Sequence, residues 1–210
     1  MITTTAQKIA DLEWGAVLKA LAGHAECGDQ YLVQPAAHGA LVAAIDGLGH
    51  GDKAAAAAKL ARAILAEYGH EPLVSLVNRC HKQLIGTRGV VMSLADFNLA
   101  ERTMTWLGIG NVHGALFHAG NGRNVTKSYE ALVLRGGTLG YRLPTLRPET
   151  HPIAAGDTLI LVSDGVRSGF ASELDLRLAP QALAEFIFKN YARGTDDTLV
   201  LVVRYVGGAE

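Results

Sequence analysis

The 210-residue sequence is poor in cysteine, in aromatic residues and in excess charge of either sign, and two of these shortages exclude whole classes of protein. Its two cysteines, Cys27 and Cys80, form no C-x-x-C pair, which argues against a disulfide framework and against a thiolate zinc site. Lysine and arginine number 19 against 20 acidic residues, and the net charge of −1 carries no signature of nucleic-acid or anionic-membrane binding.

Long apolar runs are also missing. No run reaches the roughly 20 residues that span a bilayer, and residues 1–10 have neither the basic start nor the apolar centre of a secretion signal. We therefore expect a cytoplasmic, monomeric protein with no membrane partner. The length and the lack of any linker predict a single domain over residues 1–210.

Alanine and glycine are abundant while aromatics make up only 6%, which favours a closely packed, layered α/β or α+β architecture. The first three predicted strands are separated by tight turns, so we expect them to pair antiparallel, and the strands from 89 to 134 suit a β-meander. The density of Pro and Gly over 136–152 predicts no regular structure there. Hydrophobic periodicity predicts helices at 52–68, 72–84 and 180–191, and strands at 13–21, 30–34, 40–45, 89–97, 103–107, 112–118, 124–127, 131–134, 158–162 and 199–205.

Acidic residues stand at the ends of the most hydrophobic predicted strands. Asp46 follows the strand at 40–45, Asp164 follows the strand at 158–162, and Asp196 precedes the last strand. Aspartate is unfavourable in strands and costs free energy when it is buried unpaired, so three such residues call for a compensating cation. With no thiolate and little imidazole among them, Mg²⁺ or Mn²⁺ is the expected cation.

The residues after Asp46 extend this hypothesis. The sequence Asp-Gly-Leu-Gly-His-Gly at 46–51 allows the backbone carbonyl of Gly47 to turn towards a cation. Two ions separated by roughly 3.5–4 Å can share one carboxylate and lower the pKa of a water between them, which is chemistry suited to phosphate esters. Each aspartate also fits a structural role by itself. Asp46 and Asp164 suit turns, Asp52 suits a helix cap, and Asp196 or Asp197 suits a turn acceptor before a strand.

Taken together, three motifs resemble the metal-dependent protein phosphatase superfamily of type 2C, and most closely its bacterial SpoIIE/RsbU/RsbX branch. They are Asp-Gly-Leu-Gly-His-Gly at 46–51, Ser-Asp-Gly at 163–165 and Asp-Asp-Thr at 196–198. The segments at 28–29, 108–112 and 156–157 extend the likeness over nearly the whole chain. The resemblance implies an α+β fold: a four-layer α-β-β-α sandwich of two antiparallel sheets, each covered by a pair of helices.

The resemblance also implies a two-metal site for Mn²⁺ or Mg²⁺. Asp46 would bridge both ions, with the Gly47 carbonyl beside it. Asp29 would serve one ion, and Asp164 and Asp196 the other, with Asp197 as the second choice after Asp196. The implied activity is a protein serine/threonine phosphatase in which water between the ions attacks phosphorus without a phosphoenzyme. Two alternatives stay open: a non-catalytic metal-binding module and a hydrolase of small phosphate esters.

Two positions depart from the larger relatives. Those relatives place a histidine directly after Asp-Gly, whereas Leu48 stands there and the histidine is His50, which is either the general acid or a turn residue. The stretch at 22–26 lacks their phosphate-binding arginine. We therefore expect metals to bind the phosphate and protein docking to select the substrate. Among relatives, a chain of this size resembles the stand-alone stressosome phosphatases, whose substrates are phosphorylated STAS-domain proteins. The segment 136–152 is a candidate docking or lid region.

Overall fold

A computed structural model describes residues 2–9, 11–119 and 129–207, and within these ranges the chain forms two sheets covered by helices. The α-helices are α1 (Asp52–Tyr68), α2 (Leu73–Gln83) and α3 (Pro180–Tyr191), with a 3₁₀ helix at Phe170–Glu173. The strands are β1 (Ile2–Ile9), β2 (Leu12–Lys19), β3 (Asp29–Ala36), β4 (Gly39–Gly47), β5 (Val90–Asn98), β6 (Thr103–Ile109), β7 (His113–Phe117), β8 (Tyr129–Ala131), β9 (Leu134–Arg135), β10 (Glu149–Pro152), β11 (Thr158–Val162) and β12 (Thr198–Tyr205).

The two sheets pack face to face. Sheet 1 has the strand order β1-β2-β12-β11-β7-β8, and sheet 2 has the order β10-β6-β5-β4-β3, with β9 added beside β6. All the pairs are antiparallel except β6–β9, which is parallel. The predicted sandwich is therefore correct, and its second sheet is mixed rather than purely antiparallel.

Alternation of side chains along the strands divides the core into layers. On β4, Val42 points into the apolar layer between the sheets, and its neighbour Leu41 points towards α1 and α2. On β12, Leu201 faces the other sheet while Val202 faces the layer that holds α3. Since both faces of these central strands are covered, their continuous apolar runs are buried as predicted.

The helix layers differ from the predicted pairs. Helices α1 and α2 cover sheet 2, as expected from their periodicity, whereas sheet 1 is covered by α3 together with the single turn of 3₁₀ helix at Phe170–Glu173. Helix α1 starts at Asp52, but its N-cap is Gly51 and no side chain caps it, so the cap predicted for Asp52 is wrong. None of the described helices is both long and apolar enough to cross a membrane.

The pairing of the strands also differs from the prediction. The first predicted strand, now β2, lies in sheet 1 between β1 and β12, so it does not pair with β3 and β4. The expected meander is split as well, because β5 and β6 belong to sheet 2 and β7 to sheet 1. The position of a strand in a sheet depends on distant partners, which tight turns do not specify.

Two strands lie where no strand was predicted. β1 is an edge strand with no buried residue, so its sequence has no apolar face to reveal it. β10 lies in the Pro-rich segment and forms an edge of sheet 2 beside β6, where Pro152 at the end of β10 is tolerated. The predicted strand at 124–127 lies outside the described residues.

Candidate metal centre

Three of the predicted carboxylates line one cleft of about 370 Å³ at an end of the sandwich. Asp46 comes from the end of β4 in sheet 2, while Asp164 follows β11 and Asp196 precedes β12 in sheet 1. Because β11 and β12 are antiparallel neighbours, the end of one and the start of the other meet at the same sheet edge. Docking of the two sheets then brings the third carboxylate to them.

Asp46 is the least compensated carboxylate of the cleft. Its side chain accepts no hydrogen bond and forms no ion pair within the described part of the chain, whereas three further carboxylates act on it. Burial, followed by repulsion from Asp164, Asp196 and Asp197, raises the pKa of Asp46 to about 8. A bound cation would remove this cost by restoring the ionised form at neutral pH.

Asp164 is held in place by an amide. The Nδ2 group of Asn111 donates a hydrogen bond of 2.8 Å to Asp164 Oδ2. Burial and the charge of Asp196 raise the pKa of Asp164, while Asn111, Arg193 and His113 act in the opposite direction. Asn111 thus orients the carboxylate of Asp164 through one oxygen and leaves the other oxygen available in the cleft.

Asp29 lies deeper than the cleft, at 1% exposure. Its backbone pairs with that of Asp46 across β3 and β4, and its Oδ2 accepts a 2.7 Å hydrogen bond from Ser163 Oγ. Ser163 Oγ in turn accepts the N–H of Leu199 at 2.8 Å, so one hydroxyl links the ends of β11 and β12 to β3 in the other sheet. Burial and the neighbouring Asp46 charge raise the pKa of Asp29 well above its usual range.

Asp197 has a different set of partners from Asp196. Its Oδ1 accepts the N–H of Leu21 at 2.8 Å, and its Oδ2 accepts the N–H of Gly28 at 2.9 Å. The side chain is 3% exposed and does not line the described cleft. Asp197 therefore ties the β2–β3 connection to the start of β12, beside the cleft rather than inside it.

The glycines after Asp46 make room for the neighbouring helix. A Cβ at Gly47 would lie 2.2 Å from the backbone oxygen of Ala54, so the loop packs directly on the first turn of α1. Gly49 and Gly51 have φ values of 84° and 75°, in the left-handed region that other residues disfavour. Close packing on α1 is a sufficient reason for Gly47, in addition to the carbonyl role predicted for it.

His50 lies beside the cleft. Its ring centroid is 4.7 Å from that of His24, which belongs to the stretch that lacks the arginine of larger relatives. Among the described residues that line the acidic cleft, neither histidine appears. Gly136, Gly137 and Thr138, from the segment predicted as a docking or lid region, form part of the cleft wall instead.

The donor set fits a hard divalent cation. Carboxylate oxygens and backbone carbonyls are the ligands that Mg²⁺ and Mn²⁺ prefer, and no thiolate or imidazole lines the described part of the cleft. In the described ranges no three acidic, histidine or cysteine side chains close around a single point. The cleft is thus an open carboxylate cluster, which suits Mg²⁺ because this ion retains several of its waters.

Asn111 and Ser163 were not predicted as site residues, although both stand in motifs noted in the sequence. Asn111 closes the Gly-Ile-Gly-Asn segment at the end of β6, and Ser163 precedes Asp164. The available signal was a polar residue within a glycine-containing motif at a strand end. Their partners, Asp164 and Asp29, lie 53 and 134 residues away, so the contacts themselves required the fold.

Comparison with known proteins agrees with this architecture. A magnesium complex of RsbX superposes with a TM-score of 0.83 at 20% identity, covering 97% of this chain and 99% of the other. A chain from a structural study of the bacterial stressosome, a modular system adapted to control secondary messenger signalling, superposes with a TM-score of 0.82 at 30% identity, over 92% of this chain and 99% of the other. The phosphoserine phosphatase RsbX of Bacillus subtilis (strain 168) is 26% identical over 144 residues, 69% of each chain.

The fold, the acidic cleft and the match of a phosphatase family model over residues 36–206 together define a metal-dependent phosphatase domain of type 2C. The family model of stage II sporulation protein E (SpoIIE) matches residues 36–206, so the chain belongs to the SpoIIE family. The predicted class, a metal-dependent protein serine/threonine phosphatase of the bacterial branch, is confirmed. The magnesium bound to RsbX agrees with the predicted use of a divalent cation.

Proposed function

We propose that this chain hydrolyses phosphoserine and phosphothreonine in proteins, with two divalent ions, Mg²⁺ or Mn²⁺, held in the acidic cleft. The observation that carries the proposal is the Asp46 carboxylate, which lies among like charges with no donor among the described residues. A protein that required no cation here would bury this group at a net cost. The similarity to a phosphoserine phosphatase supports the same conclusion.

The proposed ligands are the residues predicted from the sequence. Asp46 would bridge the two ions and Gly47 would add its carbonyl, with Asp29 on the side of one ion. Asp164 and Asp196 would hold the other ion, since both line the cleft with Asp46. For Asp197, the second choice, the hydrogen bonds to two backbone N–H groups support a positioning role beside Asp196.

When bound, the ions would supply Lewis-acid activation of water and neutralise charge on the phosphoryl group. The chain's own residues orient this site: Asn111 fixes one oxygen of Asp164, and Ser163 holds Asp29 across the sheets. His50 is the proposed proton donor to the leaving seryl oxygen. Because His50 stands outside the cleft lining and against His24, replacing it with alanine tests that role separately from the metals.

The proposed substrates are phosphorylated STAS-domain proteins of a stressosome-like complex. Support comes from the resemblance to stand-alone phosphatases and from the similarity to RsbX and to a chain studied in the stressosome. The cleft is open at the sheet edge, and residues 136–138 form part of its wall. A loop of a folded protein could therefore enter it. The proposed enzyme acts as a cytoplasmic monomer.

The deciding experiment is a phosphatase assay under Mn²⁺ and under Mg²⁺, with and without a chelator, on three substrates. These are a phosphorylated STAS protein, a phosphothreonine peptide and p-nitrophenyl phosphate. We expect metal-dependent turnover that is fastest on the STAS protein. Activity that survives chelation would contradict the two-metal proposal, and turnover of p-nitrophenyl phosphate alone would favour a hydrolase of small esters. A Mn²⁺-soaked crystal with no density between Asp46 and Asp164 would refute the ligand assignment.

A further inference from the structure

A second cavity, of about 490 Å³, lies next to the acidic cleft and has the opposite charge. Its polar wall contains Lys53 from the first turn of α1, and Thr87 and Arg88 from the turn that connects α2 to β5. Leu60 and two alanines of α1 form the apolar part. No carboxylate is among the described residues that line it, so the cavity is positively charged.

Arg88 stands at the boundary between the two cavities. A Cβ placed on Gly49, which lines the acidic cleft, would lie 3.5 Å from Arg88 Nη1. The guanidinium therefore lies against the outer side of the loop that follows Asp46. The two segments are joined directly, because the N–H of Leu48 donates a 3.1 Å hydrogen bond to the carbonyl of Gly89.

The turn that carries Arg88 is fixed by its own hydrogen bonds. Thr87 Oγ1 donates to the carbonyl of Leu84 at 2.7 Å and accepts the N–H of Gly89 at 3.0 Å. Gly89 has a φ of 77°, a conformation that disfavours other residues. The backbone on both sides of Arg88 is thus held in place, which fixes the point from which its side chain extends into the cavity.

Neither cation of the cavity has an acidic partner in the described part of the chain. By contrast, Arg79 on α2 pairs with Glu71, and Lys59 on α1 pairs with Glu26. Arg88 and Lys53 are both exposed, and an unpaired guanidinium next to an anion-processing cleft is suited to bind an oxyanion.

We propose that this basic cavity binds the carboxylate of an aspartate or glutamate near the phosphorylated residue of the protein substrate. Arg88 and Lys53 would contact the carboxylate, and Leu60 would pack against its methylene groups. This rests on the proposed phosphatase function and adds a sequence preference to it. A flanking carboxylate fits better than the phosphoryl group itself, since Arg88 lines the neighbouring cavity and not the described acidic cleft.

The test compares kcat/KM for matched phosphothreonine peptides that have glutamate or glutamine at each position from three before to three after the phosphoresidue. We expect wild-type protein to prefer glutamate at one or more positions by about 3- to 10-fold at low salt, and less at high salt, because both cations are exposed to screening. Arg88→Ala and Lys53→Ala should each reduce this ratio by about 2- to 5-fold. Arg88→Glu should invert the preference, favouring glutamine over glutamate.

Lys189→Ala is the matched control, because Lys189 is an exposed lysine on α3, on the opposite layer of the sandwich, and should retain the wild-type ratio. An equal ratio for wild type, Arg88→Ala and Arg88→Glu would overturn the subsite while leaving phosphatase activity established. A fall in turnover of the phosphothreonine peptides in Arg88→Ala that is the same with glutamate and with glutamine would assign Arg88 to the phosphoryl group instead. Failure of wild-type protein to hydrolyse any peptide would refute the proposed function itself.

Discussion

Two aspartates lie at opposite ends of β11, Asp157 before the strand and Asp46 of β4 in the cleft where the strand ends, and their surroundings differ. Asp157, which precedes the strand, accepts the N–H groups of Ala119 and Ala154 and contacts His118 Nδ1 at 3.1 Å. Asp46, in the cleft at the other end, has no hydrogen-bonded partner among the described residues and is repelled by its neighbours. At one end, protein groups hydrogen-bond the buried carboxylate. At the other end, the described residues provide no such groups, so a bound cation would have to offset the repulsion. A cluster of acidic residues thus predicts a cation only where donors are lacking.

The largest effect is expected from Asp46→Asn. Phosphatase activity should fall by about 100-fold or more, since even residues that merely support metal ligands change activity by about 10–100-fold. Stability of the metal-free protein at neutral pH should rise or stay constant, because the substitution removes a repelled carboxylate whose pKa is raised to about 8. Steady-state kinetics and thermal melts in chelator measure the two effects. Full turnover with unchanged metal binding would contradict the role of Asp46.

The matched change at the other end of β11, where the carboxylate is hydrogen-bonded, is Asp157→Ala. It should destabilise the protein by about 2–3 kcal/mol. It removes the acceptor of two backbone N–H groups and the partner of His118, and the aspartate is 4% exposed. Urea unfolding at neutral pH is the measurement, and Asp11→Ala is the control, because the Asp11 side chain has no hydrogen bond or ion pair within the described ranges. Metal affinity should remain that of wild type. A loss of metal binding without a loss of stability would reverse the comparison.

Asn111→Ala should lower metal affinity and activity by about tenfold. Asn111 donates to Asp164 Oδ2 at 2.8 Å, and such supporting hydrogen bonds orient a ligand without contacting the ion. Mn²⁺ titration followed by calorimetry measures this, with Asn78→Ala as the control because Asn78 only donates to a carbonyl on α2. If metal affinity is unchanged while turnover falls, Asn111 acts on the substrate and not through Asp164.

The smallest effect is a change in stability with pH at the end of β11 where Asp157 lies. Burial lowers the pKa of His118, but its hydrogen bonds to Asp157 and Glu130 outweigh this and raise it above 6.5. Burial likewise raises the pKa of Glu130, yet His118 and His151 bring it below 4.5. The interaction therefore stabilises the fold from about pH 4.5 upwards and is lost as the pH rises through the folded pKa of His118.

Glu130→Gln should accordingly cost about 0.5 kcal/mol near pH 5.5 and close to nothing at pH 9, since Glu130 is half exposed to water. Unfolding free energies measured at both pH values, with and without added salt, test the expectation. A cost that is equal at both pH values would mean that Glu130 contributes through packing and not through charge.

Periodicity and local chemistry predicted much of the chain. The bounds of α1 and α3 agree with those predicted, because each helix has a buried apolar face and a glycine shortly after its last residue. The positions of Asp46, Asp164 and Asp196 at strand ends were also predictable. The sheet that each strand joins was not, since β2 pairs with β12, about 180 residues further along the chain.

The supporting residues of the site were missed for a related reason. Ser163 and Asn111 act through contacts with residues 134 and 53 positions away, and neither local pattern nor composition carries that information. The basic cavity was also out of reach of the sequence, because Lys53 and Arg88 meet only after α1 packs against the α2–β5 turn. Site residues at a single strand end could be predicted from the sequence, whereas contacts between residues of different elements could be identified only in the structure.

The hydroxyl of Ser163, which touches both sheets, has a consequence for the order of assembly. The carboxylates of the cleft belong to different sheets, and Ser163 joins the strand ends that carry Asp164 to Asp29 only when the sheets are docked. A folding intermediate with both sheets formed but not yet packed together would present separate aspartates and bind a divalent ion weakly. With the proposed ligands, metal affinity would therefore report on sheet docking, and an ion is expected to stabilise the last step of folding rather than to start it.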